Sequence, residues 1–469
     1  MIEQLRGLRA VKATARYFWR RCIKKDRQPE LLRLAIVTQF FPPDYAATGQ
    51  LIEELAGNLR EYQIKPYVFT GQPGYAFDRA NALKRELTPG RVQIRRTQAT
   101  RLWSKQVGGK TLNGLLFCLR ASLQIVKHRK EIDVLLLTTA PPFLSIIGWL
   151  ANLLFGIPYI CLIYDLYPDV VTELGVSKDN SFIVKVWHKI NHLVWNRSRQ
   201  IIVLSSTMEK RLLSKHPYLT DKIEVIHNWA NAQKIKPMNK QDNWFAKEHQ
   251  SDRQFTVLYS GNLGRCHDAD TILATVKLLQ DEPIQFVFIG AGVKYQECLQ
   301  QISAMGIKNC RFLPYQPKEI LPYSLTCADL GLVSIADGLE GVIAPSKLYG
   351  MMAAGVPIAA ICEPHSYLRS LVNGIGFGAC FNNNDAENLA NFIFQLARNP
   401  EKAKNMGSVG RQYLLDNFTP QITACQYAEV IKCEGDLKIN SLVNSPEKNL
   451  HTEISIFTKI KNTASQNYF

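Results

Sequence analysis

Residues 134–164 (VLLLTTAPPFLSIIGWLANLLFGIPYICLIY) run for 31 positions without a charged side chain. That length is enough to cross a bilayer as a helix. The interior of the run argues against a crossing. Pro141 and Pro142 interrupt it, and Gly156-Ile157-Pro158 interrupts it again. The longest unbroken piece, Phe143–Phe155, has 13 residues and contains Asn152. The run is therefore read as a buried strand, a buried helix and a buried strand: Val134–Thr138, Phe143–Phe155 and Tyr159–Ile163. Strands that are apolar throughout, joined by a helix, belong to a parallel sheet covered on both faces. The rest of the chain must then supply more strands and helices of the same kind.

It does so in two series. Leu34–Thr38, Pro66–Thr70, Gln200–Leu204 and Ile223–His227 are predicted strands, and Leu51–Glu61, Thr111–Lys127 and Ser181–Trp195 predicted helices. Residues 230–253 are polar and break the pattern, as an interdomain connection would. A second series follows. Its strands are Thr256–Ser260, Gln285–Ile289, Arg311–Leu313, Leu330–Ser334 and Pro357–Ile361. Its helices are Thr271–Leu279, Lys294–Met305, Ser346–Ala354, Asp385–Arg398 and Pro400–Asn417. With 469 residues the chain holds two domains, 31–229 and 254–416, then a C-terminal helix over 417–432. Residues 433–469 lose periodicity and are expected to be a disordered tail. Two doubly wound halves leave a cleft between the carboxyl ends of their strands, where such sheets bind ligands.

The net charge is +16, and it is not shared evenly. Residues 1–232 carry 34 Lys and Arg against 18 Asp and Glu, whereas 233–469 carry 22 of each. Nine of the basic residues lie in the first 27 positions. There Leu5, Leu8, Val11, Ala15, Phe18, Trp19 and Cys22 recur at helical spacing, with Arg6, Arg9, Arg16 and Arg20 mostly on the other face. Residues 1–30 are thus a basic amphipathic extension suited to the plane of an anionic membrane, with 1–28 as the contact; a helix packed on its own domain or a disordered extension is the alternative. No aromatic-basic recognition module accompanies the charge, so nucleic acid is not an expected partner. Eleven cysteines without a C-x-x-C, and no secretory apolar region near Met1, indicate reduced thiols in a cytoplasmic protein.

Four segments carry chemistry. In Tyr259-Ser260-Gly261-Asn262-Leu263-Gly264-Arg265, at a strand end, two glycines let backbone N–H groups approach an anion, and Arg265 offers a planar fork to phosphate. In Ala344-Pro345-Ser346-Lys347-Leu348-Tyr349-Gly350, Pro345 and Ser346 mark a helix start. Lys347 in that first turn is disfavoured by the helix dipole unless an anion binds there. In Tyr164-Asp165-Leu166-Tyr167-Pro168-Asp169, carboxylates at a strand end face the cleft; Asp169 is equally suited to capping a helix. The loop Gln39–Gln50, with Gly49 at a helix start, approaches from the opposite lip.

Taken in order over about residues 32–430, these segments and Phe288-Ile289-Gly290-Ala291-Gly292 resemble the retaining, nucleotide-sugar-dependent glycosyltransferases of the GT-B fold. The branch they are most similar to is family 4, which builds bacterial exopolysaccharide, colanic acid and O-antigen. The resemblance implies an α/β protein of two Rossmann-like domains facing across a cleft. It implies transfer of a sugar from a nucleoside-diphosphate sugar to a lipid-linked acceptor with retention of configuration, and no metal or other cofactor. Gly49, Gly261, Asn262, Gly264, Arg265, Glu340, Ser346, Lys347 and Leu348 are then expected on the donor side. Asp165 and Asp169 are expected on the acceptor side, with Arg265, Lys347 and Asp165 central to the reaction. Such an enzyme is expected on the inner face of the plasma membrane.

Some positions depart from the family pattern. Two glutamates eight apart are common there; here Val342 and Gly350 stand in their places, with Glu340 near the first. A lysine two residues after the Arg265 position is often present; here it is His267, which reads more simply as a surface histidine. A sugar-nucleotide epimerase, a phosphorylase or an inactive scaffold shares the same fold. Asp268-Ala269-Asp270 looks like a D-x-D metal motif, but at a helix start its carboxylates suit the dipole better. His188 and His192 are four apart without a third ligand, so they are taken as structural.

Overall fold

The computed structural model describes residues 31–44, 46–71, 92–96 and 107–433, with backbone alone for 107–111. The basic extension over 1–30 and the tail after Cys433 lie outside the described residues.

Two parallel sheets organise the chain. The first contains β1 (Leu32–Val37), β2 (Ile64–Thr70), β3 (Gln93–Arg96), β4 (Val134–Thr138), β5 (Tyr159–Ile163), β6 (Gln200–Val203) and β7 (Ile223–Val225). Their spatial order is β3-β2-β1-β4-β5-β6-β7. The second contains β8 (Phe255–Asn262), β9 (Ile284–Ala291), β10 (Cys310–Leu313), β11 (Leu330–Ser334), β12 (Ile358–Ile361) and β13 (Gly378–Phe381), in the order β10-β9-β8-β11-β12-β13. In each sheet the order reverses beside the first strand, so each half has a switch point at its strand ends.

The uncharged run folds as strand, helix and strand. β4 and β5 pair in parallel from Leu135↔Tyr159 to Thr138↔Leu162, and every residue of both is buried. The intervening helix is Ser145–Phe155. It ends at Gly156, whose φ of 70° reverses the chain. Asn152, the polar residue inside the run, donates from Nδ2 to the Ile157 carbonyl at 3.1 Å and accepts from Arg197 Nε at 2.6 Å. It fixes the turn into β5 and pins the end of helix Phe182–Arg197. Among the described residues no helix is long and apolar enough to cross a membrane.

Two strands and several helices are absent from the sequence reading. β3 has the sequence QIRR, too charged to read as a strand. Its edge position tolerates the charge, and Arg95 lies over the rings of Tyr67 and Phe69 and pairs with Glu131 at 3.2 Å. β13 (GACF) is short and lacks β-branched residues. Ser206–Lys215 is mostly polar, and its helix is set by Ser205, whose Oγ accepts from the Met208 N–H at 3.2 Å.

The polar stretch 230–253 is only partly a connection. Its second half is built into the second domain. Lys240 Nζ bonds Asp329 Oδ2 at 2.6 Å, and Asn243 Nδ2 donates to the Tyr323 carbonyl at 2.8 Å. Asn243 also caps a short helix, Trp244–Glu248, which buries Phe245. The polar residues there are caps and bridges, not solvated linker.

The last helix, Pro420–Lys432, crosses back to the first domain and packs on helix Ala47–Asn58. Tyr62 Oη donates to the Gln421 carbonyl at 3.2 Å. A single cluster of buried apolar side chains runs from Leu34 in β1 to Ile431 in this helix, passing through both halves.

Candidate active site

The donor-side turn is made by glycines on two strands. β8 and β9 stay paired to their ends, with Gly261 opposite Gly290 and Asn262 opposite Ala291. Gly261 has a φ of 127° and Gly290 a φ of 140°, both in the region that side chains avoid. A Cβ on Gly290 would lie 2.1 Å from the Gly261 carbonyl oxygen. The glycine of Phe288-Ile289-Gly290 therefore exists to let the two backbones meet, and the turn after β8 is held open by that contact. Arg265 follows, exposed, and its guanidinium makes no hydrogen bond or ion pair with a described residue.

Lys347 faces this turn. It opens helix Lys347–Ala354, whose N-cap, Ser346, makes no capping bond and whose first turn has no acidic residue. Lys347 Cε is 3.5 Å from where a Cβ on Gly261 would stand. Its Nζ lies 3.3 Å from His267 Nε2 and 4.8 Å from the centre of the Tyr259 ring. His267 Nδ1 is 2.8 Å from the Ser334 carbonyl oxygen. A carbonyl only accepts, so Nδ1 carries the proton and Nε2 presents its lone pair to Lys347. His267 is not a surface residue. Burial and the lysine push its pKa down to about 3, so the ring is neutral. Burial also pushes Lys347 down to about 7. No described carboxylate pairs with Lys347. A cation without a counter-ion beside an uncapped helix start is a site that gains by taking an anion.

The acceptor-side loop meets the donor half at a seam. Asp165 bridges Ile343 in antiparallel fashion, and the Leu166 N–H donates to the Val342 carbonyl at 2.9 Å. Val342 is fully buried there, which accounts for an apolar residue at that departure from the family pattern. Thr139 Oγ1 accepts from the N–H groups of Tyr164 and Asp165 at 3.1 and 3.3 Å, fixing the loop on the end of β4. Burial pushes the Asp165 carboxyl up to about 6. Burial pushes the Cys266 thiol up to about 11, with the Asp165 charge adding to the rise and Lys347 opposing it. Asp165 and Lys347 thus share one electrostatic neighbourhood across the seam.

Other expected site residues are placed elsewhere. Asp169 is buried and pairs with Arg211 Nε at 3.2 Å and Lys215 Nζ at 2.7 Å. Its carboxylate is engaged within the first domain rather than open to an acceptor. Glu340 is also buried, and accepts from Thr207 Oγ1 at 2.6 Å across the seam. Arg211 reinforces the same crossing by donating to the carbonyls of Gly338 and Glu340 at 3.3 and 3.2 Å. The Leu348 side chain belongs to the core, so only its backbone N–H is left for a ligand. A Cβ on Gly49 would stand 3.0 Å from the backbone of Phe40 and Phe41, so glycine there allows the first loop to close on its helix. That helix reaches the second domain one turn later, where Glu53 pairs with Lys318 at 3.3 Å. Gly350 packs against Leu325, and a Cβ there would stand 3.3 Å from a leucine methyl carbon.

The two false leads resolve locally. Asp268 accepts from Thr271 N at 2.9 Å and from Asn383 Nδ2 at 2.8 Å, while Asp270 pairs with Lys294 at 3.7 Å. His188 lies 4.0 Å from Asp179, and His192 packs on Tyr218. Thr207 and Arg211 escaped the sequence reading because their helix is short and its buried apolar side chains are only Met208 and Leu212.

Two doubly wound halves that face across a seam form the GT-B architecture of solved glycosyltransferases. Residues 240–413 match the family Glycosyl transferases group 1, and residues 47–229 match the Glycosyl transferase 4-like domain. Each half of the chain thus matches a glycosyltransferase domain, and the chain is a glycosyltransferase. A probable glycosyltransferase, WbjE of Pseudomonas aeruginosa, is 22% identical over 405 residues, covering 86% of this chain and 98% of the relative. The putative colanic acid biosynthesis glycosyl transferase WcaI of Escherichia coli is 28% identical over 163 residues, covering 34% of this chain and 39% of the relative. The crystal structure of HepE from Anabaena in complex with UDP-glucose superposes with a TM-score of 0.65 at 14% identity, covering 85% of this chain and 99% of that one.

Proposed function

We propose that the chain transfers a sugar from a nucleoside-diphosphate sugar to a lipid-linked acceptor of cell-surface polysaccharide synthesis, with retention and without a divalent metal. One observation carries the reading. Lys347 stands at an uncapped helix start with no carboxylate partner among the described residues, and Asp165 lies across the seam from it. The UDP-glucose held by HepE supports a nucleotide-sugar donor, and the name of WcaI supports a polysaccharide product.

In this reading the donor diphosphate lies on the turn Gly261–Arg265 and on the helix start Ser346–Lys347. The bond between the anomeric carbon and the phosphate oxygen breaks, leaving charge on the departing phosphate. Arg265, Lys347 and the free N–H groups of the helix start stabilise that charge. The acceptor oxygen forms its bond on the same face, and its proton passes to the departing phosphate oxygen. Asp165 orients the acceptor hydroxyl. Because fixed cations hold the diphosphate, activity should persist in EDTA.

A screen of nucleoside-diphosphate sugars with membrane extract as acceptor, read by nucleoside-diphosphate release, tests the reaction. NMR of the product at the anomeric centre tests retention. Arg265→Ala combined with Lys347→Ala should lower kcat/KM by about a hundredfold or more. A double variant within about threefold of the parent would overturn the assignment.

A further inference from the structure

Three neighbouring helices of the first domain carry apolar side chains on the face turned away from the core. Helix Val107–His128 packs on Ser145–Phe155, which packs on Phe182–Arg197. On the first, Phe117, Ala121 and Ile125 point into the core, while Leu112, Leu115, Leu119, Leu123 and Val126 form a second stripe in solvent. Leu150, Leu153 and Leu154 continue it on the second helix. On the third, Phe182 is 80% exposed and Ile183 70%. Isolated exposed leucines are ordinary; a contiguous face of this kind on a soluble domain marks an interaction site.

Charge identifies the partner. The three helices contain no Asp or Glu, against six Lys and Arg. Of these, Lys127, Lys185, Lys189 and Arg197 are exposed beside or among the apolar side chains. A second copy of the same face would set cation against cation. The chain's first 27 residues, with nine Lys and Arg, would be repelled in the same way. A surface that is apolar below and anionic at its boundary satisfies both features.

The face is also continuous with the acceptor lip. Trp187, one turn after Phe182 and Ile183, stacks on Tyr167 with centroids 5.8 Å apart and packs on Phe143 at 4.8 Å. Tyr167 is two residues from Asp165. An apolar path therefore leads from the three-helix face to the loop that meets the donor half.

We propose that this face is a docking surface for an anionic lipid bilayer, with the leucines of the three helices and Phe182 entering the headgroup boundary and the flanking lysines and arginines engaging lipid phosphates. The docking would present the acceptor lip to the bilayer surface. It is distinct from any contact made by residues 1–28.

The test is co-sedimentation of the full chain with vesicles of phosphatidylcholine, with and without phosphatidylglycerol. The full chain should bind the anionic vesicles, and salt should weaken the binding. The triple variant Leu119→Glu, Leu154→Glu, Phe182→Glu changes only exposed side chains, and its fold is checked by melting temperature. It should lose at least about tenfold in anionic-vesicle affinity. In a chain lacking residues 1–28, binding should persist, and the triple variant should abolish what persists. Three results overturn the proposal: wild-type binding by the triple variant, complete loss of binding on deletion of 1–28 alone, or a parent dimer that the triple variant converts to monomer. Vesicle binding needs neither donor nor acceptor, so its failure and failure of the transfer reaction are read separately.

Discussion

Lys347 and His267 meet at 3.3 Å with the lysine as donor and the ring nitrogen as acceptor. The pair comes from two segments 80 residues apart, one at the end of β8 and one at a helix start. It makes a cationic position whose charge is poorly compensated until an anion arrives. The first prediction concerns that charge. With its pKa near 7, Lys347 is only partly protonated at neutral pH, and a bound diphosphate raises its pKa. Donor affinity should fall as pH rises above 7, and binding there should take up protons. Calorimetry in buffers of different ionisation enthalpy measures the uptake, and Lys347→Met should abolish it.

The same shift bears on stability. The ordinary value for this lysine is 10.5, and the folded value is about 7. Between those pH values the unfolded chain binds more protons, so this group's contribution to stability rises with pH across that window. Below 7 its burial penalty is present in full. Lys347→Met should therefore raise the melting temperature by about 1–3 °C at pH 6, with the gain shrinking toward pH 10.

Asp165 has the opposite chemistry. Burial raises its carboxyl from 3.8 to about 6, so it is ionised at neutral pH and protonates as pH falls through 6. If the ionised form orients the acceptor, kcat/KM should decline through that range. Asp165→Asn should be slower by about ten- to a hundredfold, and the acid limb of its pH profile should disappear.

The Thr207–Glu340 bond ties the halves together in a buried place. Thr207→Val leaves the Glu340 carboxylate short of a donor and should cost about 1–3 kcal/mol in urea unfolding. Thr207→Ser restores the hydroxyl and should recover most of the loss.

Gly290 tests the contact beneath the donor turn. Gly290→Ala sets a methyl group on the Gly261 carbonyl and should cost about 2–3 kcal/mol or more, with a raised donor KM. Gly306 also has a positive φ but open space around it. Gly306→Ala should cost only about 1 kcal/mol and leave the donor KM unchanged.

Much of the framework was legible from local pattern. The parallel sheets, the glycine turn after β8 and the helix start at Lys347 all rest on short-range chemistry. Strands hidden on both faces must be apolar, and a chain reversal needs glycine. The uncharged run 134–164 could be assigned because prolines and glycines cut it into pieces too short to span a bilayer. β3 escaped because it is stabilised by the aromatic rings beneath Arg95, distant in sequence, and helix Ser206–Lys215 because it is short and mostly polar, set by its Ser205 cap and held by the seam beneath Thr207 and Arg211.

By itself, then, the sequence determined the two-half architecture and the segments that carry the chemistry, since propensity and periodicity act over a few residues. Tertiary structure decided what each polar side chain does. It sent Asp169 to Arg211 and Lys215, placed His267 beneath Lys347, and bound Glu340 to Thr207. It also decided that the leucines of helix Val107–His128 form two faces, one covered and one open. Spacing reveals that a helix is apolar, but only the neighbouring elements determine which side they cover. A side chain's burial and its partners are set by what packs against it, and that information is spread over the whole chain.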